Sequence, residues 1–165
     1  MRMEVQLDPI SPADREAIID LFNHYVTNSF AAFPDRKVNY AFFDLLTEAA
    51  GDYPALAARD ASGRLIGFGL LRPHHPLPAF AHVADATYFL APDSTRQGIG
   101  SRILGELERQ ARARGITTLL ASICSLNEPS IAFHLKHGFI EAGRFRQIGR
   151  KMGQLFDVVW MQKML

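Results

Sequence analysis

The chain has 165 residues, of which 48% are hydrophobic and 21% charged, and its formal net charge is +1. That is enough chain for one ordinary globular domain with its own core, and the balanced charge argues against a dedicated nucleic-acid binder. No run approaches the ~20 apolar residues of a membrane span, the start Met1–Val5 lacks a signal-peptide core, and the single Cys124, which cannot form an internal disulfide, fits a reducing cytoplasm.

In chain order, a short strand is expected over Glu4–Leu7. Ser11-Pro12-Ala13-Asp14 then reads as an N-cap with proline at the first helical position and an acid at the third. Ile18, Leu21, Phe22 and Tyr25 keep helical spacing behind it. A second helix is expected over Asn39–Ala50, with Phe42, Leu45, Leu46 and Ala49 inward. Ala55–Arg59 and Leu65–Leu71 form a hairpin across Asp60-Ala61-Ser62-Gly63. Arg72–Phe80 carries three prolines and two histidines and reads as a loop. A strand over Val83–Leu90 runs into a glycine turn. The next helix shows Ile99, Ile103, Leu104, Leu107 and Ala111 on one face and closes at Gly115. Ile116–Ile123 is a buried strand, and Asn127-Glu128-Pro129-Ser130 opens a short helix that Gly138 ends. Strands near Phe139–Phe145 and Phe156–Met164 finish the chain, with Gly149–Gly153 between them. No repeat, linker or low-complexity tract interrupts this order. It predicts a mixed sheet flanked by helices, an α+β domain.

The most informative stretch is Tyr88–Leu104, where strand, Pro/Asp/Ser turn, two glycines and helix follow one another. A helix N-terminus carries unpaired N–H groups and a partial positive charge, so such an opening suits a phosphate. It is not a P-loop, because no lysine follows Gly98 or Gly100 at the required spacing. It is not a dinucleotide fingerprint either, since Ile103 stands where a third glycine or alanine is wanted and the turn lies mid-chain.

With these elements in place, the chain resembles the GNAT superfamily of acyl-CoA-dependent N-acetyltransferases over nearly its full length. Thr95-Arg96-Gln97-Gly98-Ile99-Gly100 is similar to that family's pyrophosphate motif, Gln/Arg-x-x-Gly-x-Gly/Ala, with Thr95 its atypical member and Arg96 adjacent. Asn127–Phe139 is similar to its second cofactor motif. The patterns Asn127-x-x-Ser130-Ile131-x-x-His134 and Gly149-x-Lys151-x-Gly153-x-x-x-Asp157-Val158 point to the phosphinothricin acetyltransferase branch. Asn23, Val26, Ser29 and Phe33 match that branch's substrate-side segment.

The resemblance implies a mostly antiparallel central sheet, acetyl-CoA as co-substrate, a small-molecule amine as acceptor and a homodimer. It implies cofactor contacts from the backbone of Tyr88, Phe89 and Leu90, from Thr95, Arg96, Gln97, Gly98, Ile99, Gly100 and Ser101, and from the Asn127 amide, which also suits a helix cap. Asp85 stands where the branch places a glutamate on the strand before the turn, one methylene shorter, and is the candidate to draw a proton from the amine through a water. The plain alternative is a strand-edge acid. His134 is the candidate to orient the cofactor or protonate its thiolate, against a polar helix filler. Tyr88 itself is expected to pack in the sheet. Phe33 is expected to wall the acceptor pocket, and the other N-terminal aromatics to be core. Cys124 reads as a small buried hydrophobe. His74, His75 and His82 lack metal-ligand spacing and read as part of a solvated loop, so no metal is expected. Two other functions fit the same fold, a protein or peptide N-acetyltransferase and a non-catalytic acyl-CoA-binding module.

Overall fold

One seven-stranded sheet organises the chain, in the order β1-β2-β3-β4-β5-β7-β6. The structure, a computed structural model, describes residues 4–165; residues 1–3, the first part of the Met1–Val5 start, lie outside the described residues. The strands are β1 (Gln6–Pro9), β2 (Ala55–Arg59), β3 (Leu65–Pro73), β4 (Val83–Leu90), β5 (Thr118–Cys124), β6 (Ile140–Lys151) and β7 (Gln154–Met164). The helices are α1 (Arg15–Asn28), α2 (Phe42–Ala50), α3 (Ile99–Ala113) and α4 (Glu128–Lys136).

Every neighbouring pair is antiparallel except β4 and β5, which run parallel and are bridged by α3. Their ladder is short, joining Val83–Asp85 to Thr118–Leu120. Beyond it β4 stays with β3 and β5 stays with β7, so the two strands part after Asp85.

Strand alternation sorts the side chains onto two faces. Ala84, Ala86, Tyr88 and Leu90 of β4 join Ile99, Ile103, Leu104 and Leu107 of α3 in the main core. Full burial of each leucine or isoleucine side chain contributes about 1.5–3 kcal/mol. Phe89 turns to the other face, where Phe68 meets Ile18, Ile19 and Phe43 of α1 and α2. The expected Ser11 cap is present: the Asp14 carboxylate accepts the Ser11 N–H at 2.9 Å and is also held by Arg59 at 2.5 Å.

The mixed, mostly antiparallel sheet and its flanking helices are as expected, while several boundaries move. β1 is shifted two residues along, and α2 begins at Phe42 because Asn39–Ala41 form a turn instead. Phe43 and Ala50 are buried and Phe42 and Leu46 pack half-buried against the core, whereas Leu45 and Ala49, expected inward, are exposed. Arg72 and Pro73, expected in the loop, extend β3 opposite Asp85 and Ala84. The two last strands reach to a tight turn at Met152-Gly153, where both residues have positive φ.

Candidate active site

At the C-terminal end of β4 the chain makes a one-turn 3-10 helix (Pro92–Ser94) and then opens α3 at Ile99. Gly98 is its N-cap at φ +80°, in the left-handed region, and no side chain caps the helix. The first-turn N–H groups of Ile99, Gly100 and Ser101 therefore lack helical partners and a side-chain cap. Arg96 is exposed at φ +61°, with no ion pair among the described residues. Thr95 and Gln97 are exposed and bond back onto the turn, donating to the Pro92 and Asp93 carbonyls at 3.1 and 3.0 Å. The turn thus offers an anion backbone donors plus one free guanidinium.

The two glycines have different reasons. A Cβ at Gly98 would meet nothing within 4 Å, so its backbone angle is what calls for glycine. A Cβ at Gly100 would lie 3.3 Å from the Phe133 ring, so that glycine lets α4 pack closely. The Ser101 hydroxyl also faces α4, 2.8 Å from His137 Nε2, leaving its N–H at the helix opening.

Where β4 and β5 part, the opening is bridged by side chains. The Tyr88 side chain packs against the core as expected, and its hydroxyl also bonds His134 Nε2 while the two rings stack at 5.4 Å. His134 is 3% exposed, and Nδ1 lies 2.6 Å from the Ser130 carbonyl, so Nδ1–H donates there and Nε2 accepts from Tyr88. Burial lowers the His134 pKa, which keeps the ring neutral in that arrangement. Burial likewise pushes the Tyr88 phenol up and keeps it protonated. Asn127 is the N-cap of α4, as its helix-cap reading expects. Its Oδ1 caps α4 by accepting the Ser130 N–H at 3.4 Å, and its Nδ2 has no protein partner among the described residues. The Leu90 carbonyl, by contrast, accepts the Tyr25 hydroxyl at 2.5 Å.

Asp85 lies on the opposite face from Tyr88 and His134, so the structure does not bring those candidates together. It is the last β4 residue paired with β5, and Arg72 is its direct cross-strand partner. Arg72 approaches Asp85 Oδ2 to 3.6 Å and His74 Nδ1 approaches Oδ1 to 2.8 Å. The expectation that His74 belongs to a merely solvated loop is therefore corrected. Extension of β3 sets its backbone N–H against the Val83 carbonyl at 3.3 Å and its ring against Asp85. A hairpin register carried through Pro73 is the signal that would have exposed it.

The same face carries the N-terminal segment. Asn23 bonds the Val38 carbonyl and N–H, both at 2.9 Å, and the Ser29 hydroxyl donates to the Tyr25 carbonyl at 2.9 Å. These ties hold a segment on which Phe33 stacks against Phe156, with centroids 6.0 Å apart. Lys151 of the glycine-flanked motif is buried beneath it and donates to the Ala32 carbonyl at 2.6 Å. Cys124 is buried, with its thiol pushed up by burial, as its reading as a small hydrophobe requires. No metal-ligating cluster is found among the described residues. A concavity of about 640 Å³ lies between α1 and residues 37–40, and none of Asp85, His134 or the glycine turn lines it.

The model of the acetyltransferase (GNAT) family matches residues 17–139. The chain belongs to that family. A phosphinothricin N-acetyltransferase of Streptomyces coelicolor is 31% identical, covering 98% of this chain and 97% of its own length. An L-methionine sulfoximine/L-methionine sulfone acetyltransferase of Pseudomonas aeruginosa is 30% identical, with 97% and 94% covered. Among solved structures, a GNAT phosphinothricin acetyltransferase from Sinorhizobium meliloti in complex with acetyl-CoA superposes at TM-score 0.92 and 27% identity, over 99% of this chain and 89% of its own.

Proposed function

We propose that this protein moves the acetyl group of acetyl-CoA to the primary amine of a small amino-acid-like molecule, by direct transfer in a ternary complex. The acceptors named for the bacterial relatives, phosphinothricin and methionine sulfone, set the chemical class. The observation that carries the reading is one strand, β4, with a carboxylate where it leaves β5 and an uncapped helix just past its other end. The α3 opening and Arg96 take the pyrophosphate, aided by Thr95 and Gln97 as turn formers. Asn127 Nδ2 and the β4 backbone over Tyr88–Leu90 take the pantetheine amides. The Tyr88–His134 pair meets the thioester end, and Phe33 walls the acceptor side.

Amine acetylation requires loss of a proton from an ammonium that predominates near neutrality. The Asp85 cluster accepts it. Positioning of the two reactants supplies the larger share of the rate. The balanced charge and single cysteine favour a cytoplasmic setting, and the exposed β6 edge favours a homodimer.

Thiol release from acetyl-CoA over a panel of amino acids, their analogues, peptides and polyamines tests this. Turnover with methionine sulfone or phosphinothricin and little with peptides is the expected outcome. Tight CoA binding with no turnover on any amine would make the protein an acyl-CoA-binding module instead.

A further inference from the structure

We propose that His74 Nε2 is the atom that takes the proton from the acceptor amine, with Asp85 acting through it as a positioning residue. This rests on the reading of the chain as an amine acetyltransferase and names the base within it.

Both Asp85 oxygens are already engaged. Oδ1 faces His74 Nδ1 at 2.8 Å and Oδ2 faces Arg72 at 3.6 Å. A carboxylate can only accept, so the proton between Asp85 and His74 sits on Nδ1. With Nδ1 as the donor to Asp85, Nε2 is the ring nitrogen left to accept, and it has no protein partner among the described residues. Exposure points the same way, since the Asp85 side chain is 12% exposed and that of His74 is 33% exposed. An amine arriving from solvent meets the imidazole, not the carboxylate behind it.

The imidazole is held from several sides. Trp160 of β7 packs edge-on at 6.1 Å and Phe80 at 6.4 Å, and the His74 N–H is fixed to the Val83 carbonyl. The ion-pair partners at this cluster are Asp85 from β4 and Arg72 from β3, β7 contributes the Trp160 ring, and Phe80 packs against both His74 and the adjacent His75. A base fixed by an orienting carboxylate and by packing is the arrangement that proton abstraction rewards.

The step balances as follows. One ammonium proton passes to Nε2 and on to solvent. The freed nitrogen pair forms the bond to the acetyl carbon, the C–S pair leaves on sulfur, and the nitrogen's second proton ends on that sulfur. The products are amide, CoA thiol and one released proton.

Steady-state kinetics of four variants test it. His74→Gln, which keeps a donor for Asp85 but cannot take a proton, should lower kcat about 100-fold with KM for amine and acetyl-CoA nearly unchanged. His74→Ala should be equally slow, and added imidazole should restore its activity in proportion to concentration. Asp85→Asn should cost less than His74→Gln, and the double variant should be no slower than His74→Gln alone, because the two act as one unit. A mild His74→Gln beside a severe Asp85→Asn would overturn the assignment and leave Asp85 as the base itself. Activity near wild type in both would overturn the assignment and remove the cluster from the reaction. Failure of every variant and of the wild type to turn over any amine would instead sink the acetyltransferase reading.

Discussion

Lys151 places an ammonium in a site only 4% exposed, with the Ala32 carbonyl as its hydrogen-bond partner. Burial lowers its pKa, while the nearby Cys124 and Asp35 pull the other way. A hydrogen bond from a charged donor is worth about 1.5–3 kcal/mol, yet the desolvation of the ammonium offsets much of it. Lys151→Met should therefore change thermal stability little. What it removes is the tie across 119 residues between the β6 end and the segment carrying Phe33. The expected result is a KM for the amine raised about tenfold, equivalent to ~1.4 kcal/mol, with the KM for acetyl-CoA unmoved. Equal rises in both constants would mean that the lysine supports the whole fold and not the acceptor wall.

Element by element, the least protected piece is β6, which has one neighbour, β7, and an almost wholly exposed surface. Ile140, Phe145 and Ile148 are each more than half exposed along this edge. The ladder breaks between Phe145 and Gly149, and Asp157 fastens the irregular stretch by accepting the Gln147 N–H at 2.7 Å and Arg144 at 3.1 Å. Bulges keep an edge from open-ended pairing, while the apolar side chains suit one defined partner, a second copy. Light scattering should give a dimer for the wild type and a monomer for Phe145→Glu/Ile148→Glu, with acetyl-CoA affinity retained. An unchanged mass would place the interface elsewhere. This hairpin also shows where sequence reading stops. The β2–β3 hairpin, the glycine turn and α3 were legible because turn residues and apolar spacing are local signals. The glycines at 149 and 153 gave the same local signal, but only Gly153 lies in a turn. The bonds that build the candidate site were not legible for a related reason. Tyr88 finds His134 46 residues away and His74 finds Asp85 across a register set through proline. Such pairs follow from how strands align, which no window of neighbouring residues contains.

At the scale of the whole molecule, acid acts on two kinds of group at different pH. Asp44, Asp60, Asp93, Glu106 and Asp157 have pKa values held down chiefly by hydrogen bonds to neighbours, Glu106 to about 2 beside Arg109. Their stabilisation is present above the ordinary carboxylate range and is lost only in stronger acid. Since these groups are at the surface, solvent screens most of it. His134 acts earlier. Its folded pKa lies below the ordinary value of about 6.5, so as pH falls through that value the unfolded chain takes up a proton that the buried ring refuses. Stability must therefore decline from about pH 6.5 downward, and the decline continues until the folded ring itself is protonated. Protonation there also removes the Nε2 lone pair that accepts from Tyr88, unfastening α4 from β4 where the sheet parts. The expected observation is a melting temperature that falls between pH 7 and 5 with a shallower slope in His134→Gln than in the wild type. Parallel slopes in the two proteins would show that the ring is not the acid-sensitive clasp of the fold.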